Sequence, residues 1–241
     1  MSRVYSARSR DIEPFHVMAL LARANELQAA GHDLIHLEIG EPDFTTAAPI
    51  IAAGHAALAA GHTRYTAARG LPQLREAVAD FYAARYQLDI DPRRILITPG
   101  GSGALLLASS LLVDPGKHWL MADPGYPCNR HFLRLIEASA QLVPVGPEHN
   151  YQLDPQTISQ YWNSSSVGAL VASPANPTGT LLTRDQLAAL SAALKARDGH
   201  LVVDEIYHGL TYGCEAASVL EVDDDAFVLN SFSKYFGMTG W

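Results

Sequence analysis

The chain has 241 residues, 48% hydrophobic and 17% charged, which fits a globular protein with a sizeable core and excludes a disordered one. Its net charge of −8, with no run of Lys and Arg, argues against nucleic-acid binding. Cys128 and Cys214 form neither a metal pair nor a disulfide framework, residues 1–10 do not read as a signal peptide, and no apolar window is long enough to span a bilayer. A cytoplasmic protein without membrane or nucleic-acid partners is therefore expected.

Residues 15–30 read as a helix, with Val17, Leu20, Leu21, Ala24 and Leu27 near helical spacing and Gly31 as its stop. An extended piece over 34–39 runs into Gly40-Glu41-Pro42-Asp43-Phe44. An Ala-rich helix follows over 49–60, closed by Gly61. Tyr65 and Gly70 lie in a polar connection, and a further helix covers 71–86, with Pro72 acceptable in its first turn.

After this the pattern changes. Apolar strand candidates at 94–98, 118–122, 141–145, 167–173, 200–204 and 226–230 alternate with helices at 103–113, 129–138 and 184–196. Short strands that are apolar on both faces and separated by helices predict an α/β fold with a parallel sheet covered on both sides. Right-handed crossovers are the default connection. In such a sheet a ligand sits outside the carboxyl ends of the strands.

Five strand candidates carry polar residues at that end. The first leads to Gly100-Gly101-Ser102-Gly103, where free amides at a helix start and the Ser102 hydroxyl can hold a phosphate, although the same turn also serves as ordinary helix entry. The second leads to Asp123-Pro124-Gly125-Tyr126-Pro127, an aromatic held between turn residues. The third gives Ser173-Pro174-Ala175-Asn176-Pro177-Thr178-Gly179, a rigid loop with one amide side chain, or simply a turn. The fourth ends in Asp204-Glu205-Ile206-Tyr207, with Tyr207 one helical turn beyond Asp204. A carboxylate at the end of a buried strand needs a partner: a metal, an arginine or a protonated ligand nitrogen. A metal does not fit, because no His or Cys cluster has ligand spacing and His200 lies at the other end of that strand. His55, His62, His118 and His131 are scattered and receive no role.

The fifth candidate leads to Ser231-Phe232-Ser233-Lys234. A lysine just past a buried strand is open to desolvation and to use as a nucleophilic amine, although a lysine in a loop is more often a solvated surface group. One ligand uses all five features, pyridoxal 5′-phosphate (PLP). The lysine forms an imine with it, and the acid keeps the pyridine nitrogen protonated so that the ring acts as an electron sink. The amide and the tyrosine hydrogen-bond the phenolate oxygen, and the ring stacks on the aromatic.

These residues give the chain its resemblance to the class I (class I/II) aminotransferases of the aspartate aminotransferase superfamily, fold type I among PLP enzymes. The motifs are Gly40-Glu41-Pro42-Asp43-Phe44, Tyr65 with Gly70-Leu71-Pro72-Gln73-Leu74-Arg75, Asn176-Pro177-Thr178-Gly179, Asp204-Glu205-Ile206-Tyr207 and Ser231-Phe232-Ser233-Lys234. The resemblance runs from about Pro14 to the last residue. It implies that Lys234 is the Schiff-base (internal aldimine) lysine and the proton carrier, and that Asp204 pairs with the pyridine nitrogen. By the same resemblance Tyr207 and Asn176 contact the phenolate oxygen, with Asn176 also near substrate, and Tyr126 stacks on the ring where some relatives have Trp. Gly101, Ser102 and Ser231 would hold the phosphate, and Gly40 would lie against the substrate carboxylate. Tyr65 would reach the phosphate of a neighbouring subunit in a homodimer.

The resemblance further implies a three-layer α/β/α large domain over 46–241 with a mainly parallel but incomplete sheet, and an arm with part of a small domain over 1–45. A phosphate-binding arginine is expected eight positions after the lysine, one place beyond Trp241. The rest of the small domain and an antiparallel sheet strand would also lie beyond, so the chain reads as a C-terminally truncated piece. The expected activity of the parent is transamination between an amino acid and a 2-oxo acid, with the fragment itself inactive. A PLP-dependent β-lyase is the first rival, since the fold and cofactor site do not separate the two. A non-catalytic PLP-binding regulatory module would need a DNA-binding domain ahead of it, and the N-terminal segment is too short and insufficiently basic.

Overall fold

A computed structural model describes residues 5–40 and 44–241. The order of elements is α1 (His16–Ala29), α2 (Ala48–Ala59), α3 (Pro72–Tyr86), α4 (Gly100–Leu112), β1 (His118–Asp123), α5 (Asn129–Leu135), β2 (Ser139–Pro144), α6 (Pro155–Tyr161), β3 (Ser166–Ala172), α7 (Arg184–Lys195), β4 (His200–Asp204) and β5 (Phe227–Leu229). The five strands form one sheet in the order β2-β1-β3-β4-β5, and every pairing is parallel.

The strands are apolar on both faces because each face meets helices. Leu120, Ala169, Val171, Leu201 and Val203 point to one side and pack with Ile158 of α6 and Leu187, Leu190 and Leu194 of α7. Their sequence neighbours Trp119, Met121, Leu170 and Val202 point to the other and pack with Leu105 and Ala108 of α4 and Leu133 of α5. The period-two alternation of a strand thus divides one apolar run between two cores, and the three-layer α/β/α architecture follows.

Local chemistry fixes the helix starts. Thr183 caps α7, its side chain accepting from Gln186 N while Gln186 Oε1 accepts from Thr183 N. Asp154 and Thr157 form the same reciprocal box at α6, with Pro155 inside the first turn. That helix is absent from the sequence expectations above.

Several expected boundaries are corrected. Residues 94–98 do not form a strand. Pro92–Arg94 is a single 3-10 turn closed by Ile95 N to Pro92 O at 3.2 Å, and beyond it Ile97 N to Arg69 O at 3.1 Å is the one backbone bond to another segment among the described residues. An apolar run becomes a strand only where a neighbour supplies a ladder, and none is present here. Gly70 explains the approach of the 65–70 connection to this stretch. It has φ +91°, and a Cβ there would lie 2.5 Å from Ile97 Cβ. α4 begins at Gly100 instead of 103, so Gly101 and Ser102 stand in its first turn. α5 ends at Leu135, where Glu137 adopts a left-handed φ of 62° and turns the chain into β2. Strand β5 is shorter than the expected 226–230.

The N-terminal segment lies against α5 through Asp11–Arg134 and Glu13–Arg130 ion pairs and against the turn after it through Arg8–Glu137, all solvent-accessible and therefore worth little stability. No residue of α1 is buried, and the extended 34–37 stretch joins no sheet among the described residues. No helix among the described residues is long and apolar enough to cross a membrane.

Stability should therefore rest on the two layers that flank the sheet. Leu190 is fully buried between α7 and the sheet. Leu190→Ala is expected to destabilise the fold by about 2–5 kcal/mol, read as a lower denaturant midpoint with an unchanged slope.

Candidate cofactor and active site

Three neighbouring strand ends are locked together by backbone bonds. Ser173 N donates to Asp204 O at 3.0 Å, and Glu205 N donates to Leu229 O at 2.8 Å. The loops that follow β3, β4 and β5 therefore leave the sheet side by side. They carry Asn176, Asp204 with Tyr207, and Ser231 with Lys234.

Asp204 ends β4 at a partly buried position. Its Oδ1 accepts from Ile206 N at 3.1 Å, and Oδ2 makes no hydrogen bond among the described residues. Burial is the main cause that pushes its carboxyl up to about 6; the Ile206 amide and the Lys234 charge pull the other way. Such a carboxylate is short of a cationic partner. Tyr207 sits in a hydrogen-bonded turn over 206–209, not in a helical turn as expected, yet the turn still returns it to the site. There Asn176 Nδ2 donates to Tyr207 OH at 3.2 Å, so two side chains 31 residues apart meet beside Asp204. Gly209 has φ +94°, and a Cβ at this position would collide with the Tyr235 ring, so glycine lets the turn close against the residue after Lys234.

Lys234 is half-buried, with Nζ 5.9 Å from the centre of the Tyr207 ring. The sequence holds three lysines. Lys117 precedes β1 at the opposite end of the sheet and donates to Ser164 O. Lys195 closes α7 and is held by Asp223 at 2.5 Å. Lys234 alone stands at the rim with Asp204. Its loop is folded back on itself through Gly237 N to Lys234 O at 3.1 Å and Thr239 Oγ1 to Ser233 O at 2.9 Å.

The start of α4 faces the same rim, since a Cβ built on Gly101 would lie 3.7 Å from Ile206 Cδ1. Its N-cap, Pro99, offers no side-chain cap, so the first-turn amides are open to an anion. Ser102 is exposed and its hydroxyl makes no hydrogen bond among the described residues, whereas Ser231 Oγ bonds Ser233 Oγ at 2.8 Å. Tyr126 is 38% exposed and meets Phe15 edge-on at 5.9 Å. Burial is the main cause that raises its phenol. A cleft of about 140 Å³ opens between Tyr126 and Asn176 over Leu170 and Val171, and its lining does not include Asp204 or Lys234.

Two candidate residues are not joined to this group. Tyr65 is fully exposed, and its hydroxyl makes no hydrogen bond among the described residues. Gly40 is exposed, with open space where a Cβ would stand, and Glu41, Pro42 and Asp43 of its motif lie outside the described residues.

Sequence reading passes over a second polar cluster behind Asp204. Glu205 is fully buried, points away from Asp204, and accepts from Ser218 Oγ at 3.0 Å and Val219 N at 2.8 Å. Burial is the main cause that pushes its carboxyl up to about 8. His208 is also buried and bonds Tyr86 OH at 2.7 Å and Ser173 O at 2.9 Å. The available signal was the pair of adjacent acids: on a strand end, neighbours face opposite ways.

The donor set fits PLP. An acid without a cationic partner suits a protonated ring nitrogen, and an amide with a phenol suits an anionic ring oxygen. An uncapped helix start with an unpaired hydroxyl suits a phosphate, and one amine stands within the group.

Comparison with known proteins gives the same family. The family model "Aminotransferase class I and II" matches residues 32–241. Valine–pyruvate aminotransferase of Mycobacterium tuberculosis is 38% identical over 232 residues, covering 95% of this chain and 60% of that protein. Aspartate aminotransferase of Geobacillus stearothermophilus is 32% identical over 239 residues, covering 97% of this chain and 61% of that protein. Among solved structures, an aminotransferase from M. tuberculosis matches with a TM-score of 0.95 at 37% identity, over all of this chain and 62% of the other. Thermus thermophilus aspartate aminotransferase with maleate matches with a TM-score of 0.94 at 33% identity, over all of this chain and 63% of the other. The chain thus spans about 60% of the length of these relatives. On its sequence, its fold and its family match, the chain belongs to the class I and II aminotransferases.

Proposed function

We propose that the whole protein transfers an amino group between an amino acid and a 2-oxo acid with PLP, and that Lys234 attaches the cofactor. The observation that carries the reading is the Asn176–Tyr207 hydrogen bond beside Asp204 and Lys234, because it gathers two ring-oxygen donors, an acid and an amine on one rim. The names of the relatives support the reaction class. When bound, PLP supplies a carbon that condenses with amines and a ring that accepts electrons.

The chain's own residues divide the remaining work. Lys234 Nζ would bond the cofactor and would be the amine that holds and moves the proton. Asp204 holds the proton on the ring nitrogen, which an ionised carboxylate does by charge. Asn176 Nδ2 and the Tyr207 hydroxyl donate to the ring oxygen, and Asn176 borders the substrate. Tyr126 supplies the stacking face. Gly101, Ser102 and Ser231 bind the phosphate. Gly40 lines the substrate carboxylate, and Tyr65 serves the phosphate of a partner subunit in a homodimer, a use for which its full exposure leaves it available. The same reading keeps residues 46–241 as the cofactor domain and 1–45 as an arm with part of a smaller domain. It also assigns catalysis to the whole protein and not to the 241-residue chain alone, which is expected to bind PLP weakly.

Lys234→Ala in the full-length protein should abolish the visible band of lysine-bound PLP together with turnover. Survival of the band would remove Lys234 from its role. Product analysis with amino-acid and 2-oxo-acid pairs should give a new amino acid and a new oxo acid, whereas pyruvate, ammonia and a thiol would make the protein a lyase.

Asp204 gives a test without cofactor. Its folded pKa of about 6 lies above the ordinary 3.8, so the folded state binds the proton more tightly. Ionising it costs stability, and this cost is absent below 3.8, grows through the interval and is complete above about 6. Asp204→Asn should therefore raise the Tm of the PLP-free protein at pH 8 and leave it nearly unchanged at pH 3.8 or below. The same change should weaken PLP binding by about tenfold or more, since about 1.4 kcal/mol is a factor of ten. Equal Tm changes at both pH values would contradict the assignment.

A further inference from the structure

A line of side chains runs beneath the rim from α3 to all three site loops. His208 Nε2 bonds Ser173 O at 2.9 Å, and Tyr86 OH bonds His208 Nδ1 at 2.7 Å. The Tyr86 and Tyr82 rings pack with centres 5.3 Å apart. Asn230 Nδ2 donates to Tyr82 OH at 3.1 Å, and Asn230 Oδ1 accepts from Ser231 N at 2.8 Å. Ser173 is three residues before Asn176, His208 directly follows Tyr207, and Asn230 directly precedes Ser231. Each loop that carries a site residue is thus tied to the next through side chains that no step above uses: His208 and Tyr82 are buried, Tyr86 is half-buried and Asn230 is exposed.

Hydrogen-bond direction sets the state of the imidazole. A carbonyl only accepts, so Nε2 carries the proton toward Ser173. In the neutral ring Nδ1 is then an acceptor, which the Tyr86 hydroxyl fills. The ionisable groups around it are Tyr86 and Arg85 from α3 and Glu205 from its own turn, with Glu205 Oε2 3.6 Å from Nδ1. Burial, aided by Arg85, pushes the His208 imidazole down to about 4. Substituting a residue with only one of the two hydrogen-bonding functions would strand a buried group on the other side.

We propose that His208 is a positioning residue: by donating to Ser173 O and accepting from Tyr86, it holds the Asn176 loop against the Tyr207 turn, so that Asn176 Nδ2 and Tyr207 OH reach one ligand oxygen together. This rests on the reading of that oxygen as the ring oxygen of PLP. Loosening the clamp separates two donors from an anionic oxygen. The oxygen would then become more basic, and bound PLP would lose its proton at a higher pH.

The test uses the full-length protein with four variants, His208→Leu, His208→Gln, Tyr86→Phe and Tyr207→Phe. The first readout is the pH midpoint of the absorbance of bound PLP. His208→Leu should raise the midpoint by about one unit, a tenfold change in proton affinity. His208→Gln retains an amide donor and a carbonyl acceptor and should restore most of the shift. Tyr86→Phe, which removes one hydroxyl, should move the midpoint the same way by less, and it keeps the test open if His208→Leu does not fold. The second readout needs no cofactor: nitrogen NMR of the imidazole should show the neutral Nε2–H tautomer from pH 5.5 to 8. Titration of His208 in that range, or a midpoint unmoved in both His208→Leu and Tyr86→Phe, would overturn the positioning role. Tyr207→Phe separates the two levels. A midpoint unmoved in Tyr207→Phe sinks the reading of the oxygen site, whereas a shift there without one in His208→Leu and Tyr86→Phe sinks only the clamp.

Discussion

A parallel sheet covered on both faces has no room for polar side chains except at its ends, and that restriction governs the molecule. β1, β3 and β4 spend their central residues on two apolar cores, one with α6 and α7 and one with α4 and α5. Every ladder is parallel, so the carboxyl ends of β3, β4 and β5 share one rim. Asp204 is where the restriction presses hardest. It is the last residue of β4, beyond Val202 and Val203, which are fully buried, and its own carboxyl is pushed up to about 6. An ionised acid placed there costs stability as long as no cation pairs with it.

The two adjacent acids resolve that pressure differently. Glu205 turns to the protein interior, where the Ser218 hydroxyl and the Val219 amide satisfy it, and it serves to anchor the chain after β4. Asp204 turns to the rim, where one amide is its only hydrogen-bond partner among the described residues. What separates the two carboxylates is therefore how many donors the fold provides, not burial alone.

Much of this was legible in the chain itself. Leu201-Val202-Val203 ending in Asp204, and the apolar run ending in Ser173, signal buried strands with polar ends, and the residues at those ends are the ones the fold brings together. The adjacent acids hinted that Glu205 faces inward, but the partners of Glu205 and His208 were not legible because they are distant: Ser218 is 13 residues away, Ser173 35 and Tyr86 122. Periodicity carries no such information. Residues 94–98 fail as a strand for a related reason, since an apolar run specifies a face but not a neighbour. Helix α6, Pro155-Gln156-Thr157-Ile158-Ser159-Gln160-Tyr161, holds one aliphatic residue, so it shows no apolar period, although Asp154-Pro155 marks its start. The 206–209 turn replaced an expected helical turn without moving Tyr207 from the site, because Gly209 lets it close on Tyr235.

The central claim is that one rim, not a scatter of surface groups, binds the cofactor, and that Lys234 is its point of attachment. The chain offers three lysines, and they lie in three different settings: at the amino end of β1, in an ion pair with Asp223, and beside Tyr207. Borohydride reduction of the PLP-loaded full-length protein, followed by peptide mass analysis, distinguishes them directly. The account predicts a pyridoxyl adduct on the peptide containing Lys234 and none on those containing Lys117 or Lys195. An adduct on either of these two, with Lys234 unmodified, would contradict it.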